Sequence, residues 1–122
     1  WVAGFSFGAW IGMQLLMRRP EIAGFISVSA PANLYDFTFL APCPSSGVVI
    51  HGELDKVCPP EDTRLMVERT RTQKGRKVEF QVIEGADHFF ENRIDELLEA
   101  SEAYLDRRLA YPEPEGPYHE DK

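Results

Sequence analysis

Four short apolar runs alternate with helix-like segments along this 122-residue chain, and this alternation constrains the fold most. The runs Trp1–Phe5, Gly24–Val28 and Val48–Ile50 are almost wholly apolar, which is typical of strands buried on both faces. Residues 78–82 alternate between apolar and polar side chains, which predicts a fourth strand. Strands that alternate with helices favour a parallel sheet covered by helices on both faces.

Three helices and one long loop are predicted between and after these strands. The segment 7–19 is apolar nearly all round, so we expect a largely buried helix. A second helix begins at two prolines and two acidic residues and runs over 59–74. A third spans roughly 91–109 with one apolar stripe, and residues 30–47 form an ordered loop that carries several aromatic residues.

Composition narrows the classes of partner and the compartment. The net charge of −7 argues against nucleic acid and against an anionic membrane surface, since both attract basic proteins. No apolar stretch approaches the ~18–20 residues that span a bilayer, and no secretory signal is recognisable. The two cysteines, Cys43 and Cys58, do not make a disulfide scaffold, so we expect free thiols in a reducing compartment, the cytoplasm.

A serine motif lies between the first predicted strand and the first predicted helix. Gly4-Phe5-Ser6-Phe7-Gly8 matches the pattern G-x-S-x-G. A nucleophile elbow needs this placement, because its serine lies on a sharp, strained turn, and glycines leave room where a Cβ would clash with backbone. The helix N-terminus favours negative charge, so the backbone N–H of Phe7 is the natural first oxyanion donor. The alternative is a serine that merely caps a helix.

An acidic segment follows the third predicted strand. The run HGELDKVCP places Glu53 and Asp55 on a loop at the carboxyl edge of the sheet, where sites of parallel sheets form. A carboxylate bonded to an imidazole fixes its tautomer and stabilises the imidazolium. Asp55 is the preferred acid, and Glu53 is its competitor because hydrolases use either type. A metal site on His51, Glu53 and Asp55 would match no zinc spacing.

A histidine follows the fourth predicted strand. The segment GADHFF puts His88 on a loop at the same edge, where it can act as general base toward Ser6. A histidine here would by itself indicate only a surface loop; His51 is expected to have a structural role, and His119 lies in the tail. The order Ser6, Asp55, His88, each after a strand, is the order of triad members in α/β hydrolases.

The segments GFSFGAW, HGELDKVCPP and GADHFF together resemble the α/β-hydrolase superfamily. The likeness is strongest to small bacterial cytosolic serine hydrolases of the dienelactone hydrolase and carboxylesterase type. By position, Ser6 resembles the family nucleophile, Asp55 the triad acid and His88 the triad base, and Phe7 resembles the residue that supplies an oxyanion N–H. The motifs are specific for the fold and the triad, and they do not specify a substrate.

The resemblance implies an α/β fold of which this chain is the C-terminal half, with about four parallel strands and helices on both faces. Residues 1–109 would form the hydrolase domain and residues 110–122 a disordered tail. The family's first four strands, with the loop that supplies the second oxyanion donor, would precede Trp1. The first strand would then be an unpaired apolar edge, so we expect self-association or pairing with a missing N-terminal segment.

The expected activity is hydrolysis of a small-molecule ester through an acyl-enzyme intermediate, without metal or organic cofactor. Tyr35 and Phe37 on the long loop would line an apolar acyl pocket or pack over the sheet. Two alternatives remain open at this point. One is a non-catalytic interaction module or inactive fragment on the same fold, and the other is a thioesterase or peptidase that shares the triad.

Overall fold

The computed structural model describes residues 1–19, 21–70 and 75–113. Within these ranges β-strands and α-helices follow one another much as the apolar runs predict, and a short 3₁₀ helix lies in the long loop at Thr38–Leu40. The elements in chain order are β1 Val2–Phe5, α1 Phe7–Arg18, β2 Phe25–Val28, β3 Gly47–Gly52, α2 Pro60–Arg69, β4 Val78–Ile83 and α3 Ile94–Ala110.

The four strands form one parallel sheet in the order β1-β2-β3-β4. Gly4 of β1 lies opposite Ser27 of β2, and Ser27 in turn lies opposite Val49 of β3. Because neighbouring strands run in the same direction, their carboxyl ends share one edge of the sheet. The loops that follow β1, β3 and β4 therefore meet at that edge, which is where sites form in folds of this class.

Helices cover both faces of the sheet. On one face, Met13 of α1 and Met66 of α2 pack around Phe25 of β2. On the other face, Tyr104 of α3 lies in a second core cluster with Ile50 of β3. All six residues of β3 are buried, so this strand is the centre of the described sheet. The predicted fold class, four parallel strands with helices on both faces, is confirmed.

The first helix is less buried than its sequence indicates. Met13 and Leu16 of α1 face the core, but Ile11 and Leu15 are 48% and 45% exposed. The apolar residues run round the helix, whereas the described part of the chain covers one side of it. The expectation of a largely buried helix is therefore wrong within the described structure.

The second helix is shorter than predicted. It ends at Arg69, because Thr70 leaves the helical region of backbone space with φ −71° and ψ 119°. The N–H and the hydroxyl of Thr70 both donate to the carbonyl of Met66, which closes the last turn. The predicted continuation over residues 71–74 lies outside the described residues.

The third helix begins at Ile94, three residues after the predicted start at Glu91. The carboxylate of Asp87 accepts hydrogen bonds from the N–H groups of Phe89 and Glu91, and this local turn competes with helix formation. Asn92 then adopts a left-handed conformation with φ 62°, which a helix cannot include.

The chain beyond the third helix packs partly on the domain. α3 ends at Ala110, and the carboxylate of Glu113 accepts hydrogen bonds from the Ser46 hydroxyl at 2.7 Å and from Arg76 at 3.0 Å. Residues 114–122 of the predicted disordered tail lie outside the described residues. Cys43 and Cys58 are free, buried thiols. Among the described residues, no helix combines the length and apolar character needed to cross a bilayer.

Candidate active site

Ser6 lies on a tight turn between β1 and α1. Its backbone has φ 55° and ψ −122°, a combination that residues with a side chain seldom adopt. The Ser6 N–H donates to the Val28 carbonyl of β2, and the Ser6 carbonyl accepts from the N–H of Ala9 in α1, both at 2.8 Å. Bonds on either side therefore hold the residue in a strained conformation, and such strain is concentrated at functional sites.

The two glycines of the serine motif differ in what they permit. A Cβ on Gly4 would lie 2.3 Å from the carbonyl oxygen of Gly8 and 2.7 Å from Cα of Ala9, so only glycine lets α1 start directly against β1. A Cβ on Gly8 would meet no atom of the described structure within 4 Å. The expectation that both glycines make room for backbone is correct for Gly4 and wrong for Gly8.

Asp55 is held by the loop that follows β3. Its Oδ1 accepts hydrogen bonds from the N–H groups of Val57 at 2.9 Å and Cys58 at 2.8 Å. Its Oδ2 accepts from Nδ1 of His88 at 2.7 Å. Asp55 is only 4% exposed, so water contributes little to the solvation of its carboxylate. The carboxylate is thus oriented by backbone donors before it meets the imidazole.

The loop that carries His88 is fixed by two neighbouring strands. A Cβ on Gly52, the last residue of β3, would lie 2.5 Å from the carbonyl oxygen of Ala86 and 2.6 Å from that of Asp87. The missing side chain therefore lets the loop after β4 pass against the end of β3. Ser29, directly after β2, donates its hydroxyl to the His88 carbonyl at 2.8 Å.

The structure brings Ser6, Asp55 and His88 into one hydrogen-bonded chain. Ser6 Oγ lies 3.0 Å from His88 Nε2, although the two residues are 82 positions apart. His88 Nδ1 lies 2.7 Å from Asp55 Oδ2. Because the carboxylate accepts the proton on Nδ1, Nε2 is the nitrogen free to accept the serine proton. Asp55 and His88 are buried and Ser6 is half-buried, so a substrate can approach the serine.

A second imidazole contacts the same carboxylate. Nε2 of His51 lies 3.2 Å from Asp55 Oδ2 and 2.5 Å from the carbonyl oxygen of Cys58. Burial, opposed by the Cys58 and Asp55 contacts, lowers the pKa of His51 below its ordinary value. The sequence placed His51 at a strand end in a structural role; the structure places it inside β3, with a contact to Asp55 that the sequence did not reveal.

The competing acid is engaged elsewhere. Glu53 is exposed, and its Oε1 accepts a hydrogen bond from the Gly85 N–H at 3.0 Å, so it braces the turn after β4. Asp55 is the acid bonded to His88. Within residues 1–19, 21–70 and 75–113, no three His, Cys, Asp or Glu side chains are grouped as metal ligands would be.

Phe7 is the first residue of α1 and directly follows the serine. The N–H groups in the first turn of a helix have no carbonyl partner inside the helix. Such groups, together with the helix dipole, favour an anion at this point. The position of the Phe7 N–H therefore suits the oxyanion donor that the motif predicts.

Exposed aromatic side chains flank the hydrogen-bonded chain on two sides. Phe5 and Phe89 both contact the ring of His88, with ring centroids 5.6 and 5.0 Å apart. Phe7, next to the serine, contacts Tyr35 at 5.4 Å. Phe5, Phe7 and Phe89 are all more than two-fifths exposed, so they present apolar surface around the serine.

The two loop residues predicted for an apolar pocket have different environments. Tyr35 is 38% exposed, and its ring stacks on Trp10 at 4.7 Å beside the serine turn. Phe37 is buried in the core cluster under α1 and stacks on Phe39. Tyr35 therefore remains a candidate for contact with a ligand, whereas Phe37 packs over the sheet.

Ser29 is a site residue that the sequence analysis missed. It is fully buried with φ 54°, and it holds the backbone of His88. One signal was available: Ser29 ends the apolar run of β2 as Ser6 ends that of β1, and both positions lie at the carboxyl edge of a parallel sheet. For His51 there was no comparable signal, because its contact depends on how the loop folds back from residue 52 to residue 58.

The chain is similar in sequence and structure to several known proteins. No family model matches the chain. An uncharacterized protein from Rickettsia prowazekii is 45% identical over 108 residues, which cover 85% of this chain and 45% of that protein. A solved structure of a protein of unknown function from Agrobacterium tumefaciens, proposed there to be an α/β hydrolase, is 58% identical with a TM-score of 0.88. It covers 93% of this chain, which covers 54% of that one.

Two further solved structures carry the term serine hydrolase. An α-β serine hydrolase homologue from Coxiella burnetii is 37% identical with a TM-score of 0.71, over 82% of this chain and 46% of that one. A member of the α/β serine hydrolases without a lid, from Xanthomonas campestris, is 26% identical with a TM-score of 0.75, over 88% and 46%. The chain thus spans about half the length of the relatives it matches.

Proposed function

We propose that this chain, which has the fold of the α/β hydrolases, is part of a serine hydrolase that cleaves a small-molecule ester. The observation that carries the proposal is the chain of contacts from Ser6 Oγ to His88 Nε2 at 3.0 Å and from His88 Nδ1 to Asp55 Oδ2 at 2.7 Å. Nucleophile, base and orienting acid in this geometry are the parts that acyl transfer requires. The likeness to serine hydrolase structures adds independent support.

The first half of the proposed reaction forms an acyl-enzyme. Ser6 Oγ attacks the carbonyl carbon of the ester while His88 Nε2 takes the serine proton, and the carbonyl π pair moves onto its oxygen. The Phe7 N–H at the start of α1 is the proposed donor to that oxyanion. Asp55 stabilises the imidazolium that forms and keeps its Nδ1–H directed at the carboxylate.

The second half releases the products. The oxyanion collapses, the C–O bond to the alcohol breaks, and His88 gives its proton to the leaving alkoxide. His88 then accepts a proton from water, whose oxygen attacks the acyl carbon. The C–O bond to Ser6 breaks in turn, and the proton on His88 returns to Ser6. Every proton in this cycle is carried by one imidazole, so the reaction needs no metal or organic cofactor.

The surroundings of the serine favour an uncharged ester with an apolar group. Phe5 and Phe89 lie on the histidine side, and Phe7 and Tyr35 lie on the helix side. Apolar and aromatic linings with a few polar groups are typical of small-molecule sites. These side chains support acyl or alcohol groups of aliphatic or aromatic character over carboxylates and phosphates.

Labelling with a fluorophosphonate followed by peptide mass spectrometry tests the proposal, in this chain and in the natural protein that contains it. We expect one adduct, on Ser6, that is lost in S6A and strongly slowed in H88A. S101A is the matched control, because Ser101 is a partly buried serine whose hydroxyl donates to the Leu97 carbonyl of α3, remote from the site. Absence of an adduct from both proteins would overturn the hydrolase proposal and favour the alternative of a non-catalytic interaction module.

The preferred leaving group is tested next, on protein that the fluorophosphonate labels at Ser6. Ester, thioester and amide substrates that share one uncharged acyl group are compared by kcat/KM. We expect the ester to be hydrolysed fastest and its turnover to vanish in S6A. Faster turnover of the thioester or amide would replace the esterase proposal by a thioesterase or peptidase.

A further inference from the structure

The carboxylate of Asp55 receives N–H donors on both oxygens. Backbone N–H groups of Val57 and Cys58 occupy Oδ1. Oδ2 lies 2.7 Å from His88 Nδ1 and also 3.2 Å from His51 Nε2. The oxygen that faces the base therefore lies between two imidazoles: His88 donates a hydrogen bond to it and reaches Ser6, whereas the hydrogen bond of His51 goes to the Cys58 carbonyl.

The protonation of His51 follows from its partners. Both atoms near Nε2, the Cys58 carbonyl oxygen and Asp55 Oδ2, are acceptors, so Nε2 must carry the proton. The other ring nitrogen, Nδ1, is buried without a hydrogen-bond partner in the described structure. A neutral imidazole with Nε2–H is the species that fits these surroundings, because a protonated ring would bury a second unpaired N–H.

A buried imidazole whose Nδ1 has no hydrogen-bond partner in the described structure destabilises the fold relative to an aliphatic side chain. The neighbours of His51 in β3, Val49 and Ile50, are apolar and belong to the two core clusters. An aliphatic side chain at position 51 would avoid the desolvation of Nδ1. What the imidazole offers in return is its Nε2–H, which lies against the acid that orients the base.

The charged and titratable groups around His51 define what this donor can do. Asp55 faces it from the loop after β3 and His88 faces it from the loop after β4, and these two act on it electrostatically. The Cys58 thiol lies on the same loop as Asp55, and burial, followed by the charges of Asp55 and Asp62, raises its pKa, so it is uncharged at neutral pH. A neutral His51 leaves Asp55 as the counter-charge of His88 alone, whereas a charged His51 would compete for it.

We propose that His51 is a positioning residue for the reaction proposed above. Its neutral Nε2–H donates to the Cys58 carbonyl and so fixes the loop whose Cys58 N–H binds Asp55 Oδ1. The same N–H lies 3.2 Å from Asp55 Oδ2, where its partial positive charge faces the carboxylate beside His88. His51 acts through Asp55 and touches neither Ser6 nor a substrate. The inference rests on the proposed function for its kinetic consequence, while the donor itself can be observed without any turnover.

Loss of the His51 N–H should move the pH–rate profile in a defined direction. Without the His51 N–H, the carboxylate is more negative toward His88, so the imidazolium is favoured and the base is neutral only at higher pH. The acid limb of the pH–rate profile then moves to higher pH by about half a unit or more. The labelling rate at neutral pH falls roughly tenfold, because Asp55 and His88 are no longer held in their productive alignment with Ser6.

The variants H51L and H51Q separate positioning from packing. Both fill the site, but only glutamine keeps an N–H donor that reaches as far as Nε2. The rate of labelling of Ser6 by fluorophosphonate is measured against pH between about 5 and 9, the range in which histidine titrates. We expect H51L to show the displaced acid limb and the tenfold loss, and H51Q to restore the position of the limb.

T63V is the matched structural control. Thr63 is fully buried in α2, and its hydroxyl donates to the Ala30 carbonyl at 3.0 Å, so valine removes a buried donor that bonds neither Asp55 nor His88. We expect T63V to lower the free energy of unfolding and to leave the acid limb where it is. If H51L behaves like T63V, with a lower stability and an unmoved limb, His51 has only a structural role and the proposal is overturned.

Nitrogen-15 NMR of the imidazoles tests whether His51 carries its proton on Nε2, and it does so even if H51L does not fold. In the wild-type chain we expect His51 as the Nε2–H tautomer at neutral pH, with Nδ1 unprotonated. The Nδ1–H tautomer, or a His51 that is protonated at neutral pH, would refute the donor. Failure of the wild type to label would instead count against the proposed hydrolase, and the NMR result would still stand or fall by itself.

Discussion

At the scale of single residues, the site depends on polar groups placed by backbone. Ser6 is fixed by a left-handed turn, and the Asp55 carboxylate is fixed by two N–H groups of its own loop. His88 is fixed from behind, by the Ser29 hydroxyl on its carbonyl. The polar atoms of the candidate site are therefore held in place without a ligand, which is the preorganisation that the proposed catalysis would use.

Burial of His51 makes the stability of the chain depend on pH. Its pKa in the folded state is lowered by desolvation from an ordinary value of about 6.5. Below that value the unfolded chain binds a proton that the folded chain does not, so stability is lost as the pH falls, by at most ~1.4 kcal/mol per unit. Urea unfolding of wild type and H51Q should show this loss in the wild type only; parallel curves would contradict the assignment.

The Cys58 thiol should be inert in the folded chain. Burial, and then the negative charges of Asp55 and Asp62, raise its pKa to about 11. Since the thiolate is the reactive form, alkylation at neutral pH should be slow until the chain unfolds. Mass spectrometry after iodoacetamide treatment, with and without denaturant, measures this. Modification of Cys58 in the native chain at the rate of the denatured one would contradict the expectation.

At the scale of elements, the junctions between strands and loops determine the geometry. The start of α1 lies directly against β1 because Gly4 has no side chain, and the loop after β4 passes against β3 because Gly52 has none. The spacing of apolar residues along the sequence does not predict these close approaches. They explain why the site is assembled from the ends of strands rather than from the strands themselves.

The two motif glycines should respond differently to alanine. In G4A the new Cβ meets backbone atoms of Gly8 and Ala9 that cannot move independently, so we expect a loss of ~1–3 kcal/mol or more in the free energy of unfolding. In G8A the Cβ meets nothing nearby in the described structure, and helix propensity favours alanine by up to ~1 kcal/mol. Chemical denaturation compares the two, and equal losses would show that the close approach at Gly4 is not the cause.

Sequence reasoning was most successful where one physical signal decides the outcome. The apolar runs of β1 to β3 identified the buried strands, and the residues at strand ends identified Ser6, Asp55 and His88 as neighbours. Helix ends were less accurate, because the Asp87 turn that delays α3 is a local competition among hydrogen bonds. The roles of Ser29 and His51 depend on contacts between loops, which periodicity does not encode.

At the scale of the whole molecule, the described sheet has an open edge at β1. This strand pairs with β2 only, and Trp1 and Phe5 are each more than two-fifths exposed. Ile11 and Leu15 of α1, the helix that follows β1, are also exposed apolar residues. The chain spans about half the length of its relatives.

We predict that this chain by itself associates through the β1 edge and the exposed apolar residues of β1 and α1. Exposed strand edges and contiguous apolar patches promote pairing between copies. Sedimentation velocity should show concentration-dependent association that is reduced in the double variant I11E/L15E. L98E is the control, since Leu98 is an equally exposed leucine on α3, across the sheet. A monomer at all concentrations, or an equal effect of L98E, would disprove the prediction.

The order of strands across the sheet repeats their order along the chain. During synthesis each new strand can therefore join the edge left by the one before it, since domains form from the N-terminal side as they emerge. The serine hydroxyl leaves the ribosome 82 residues before the imidazole that would activate it. The contact between Ser6 and His88 can therefore form only after β4 has joined β3, so this contact is completed later than the turn that carries the serine.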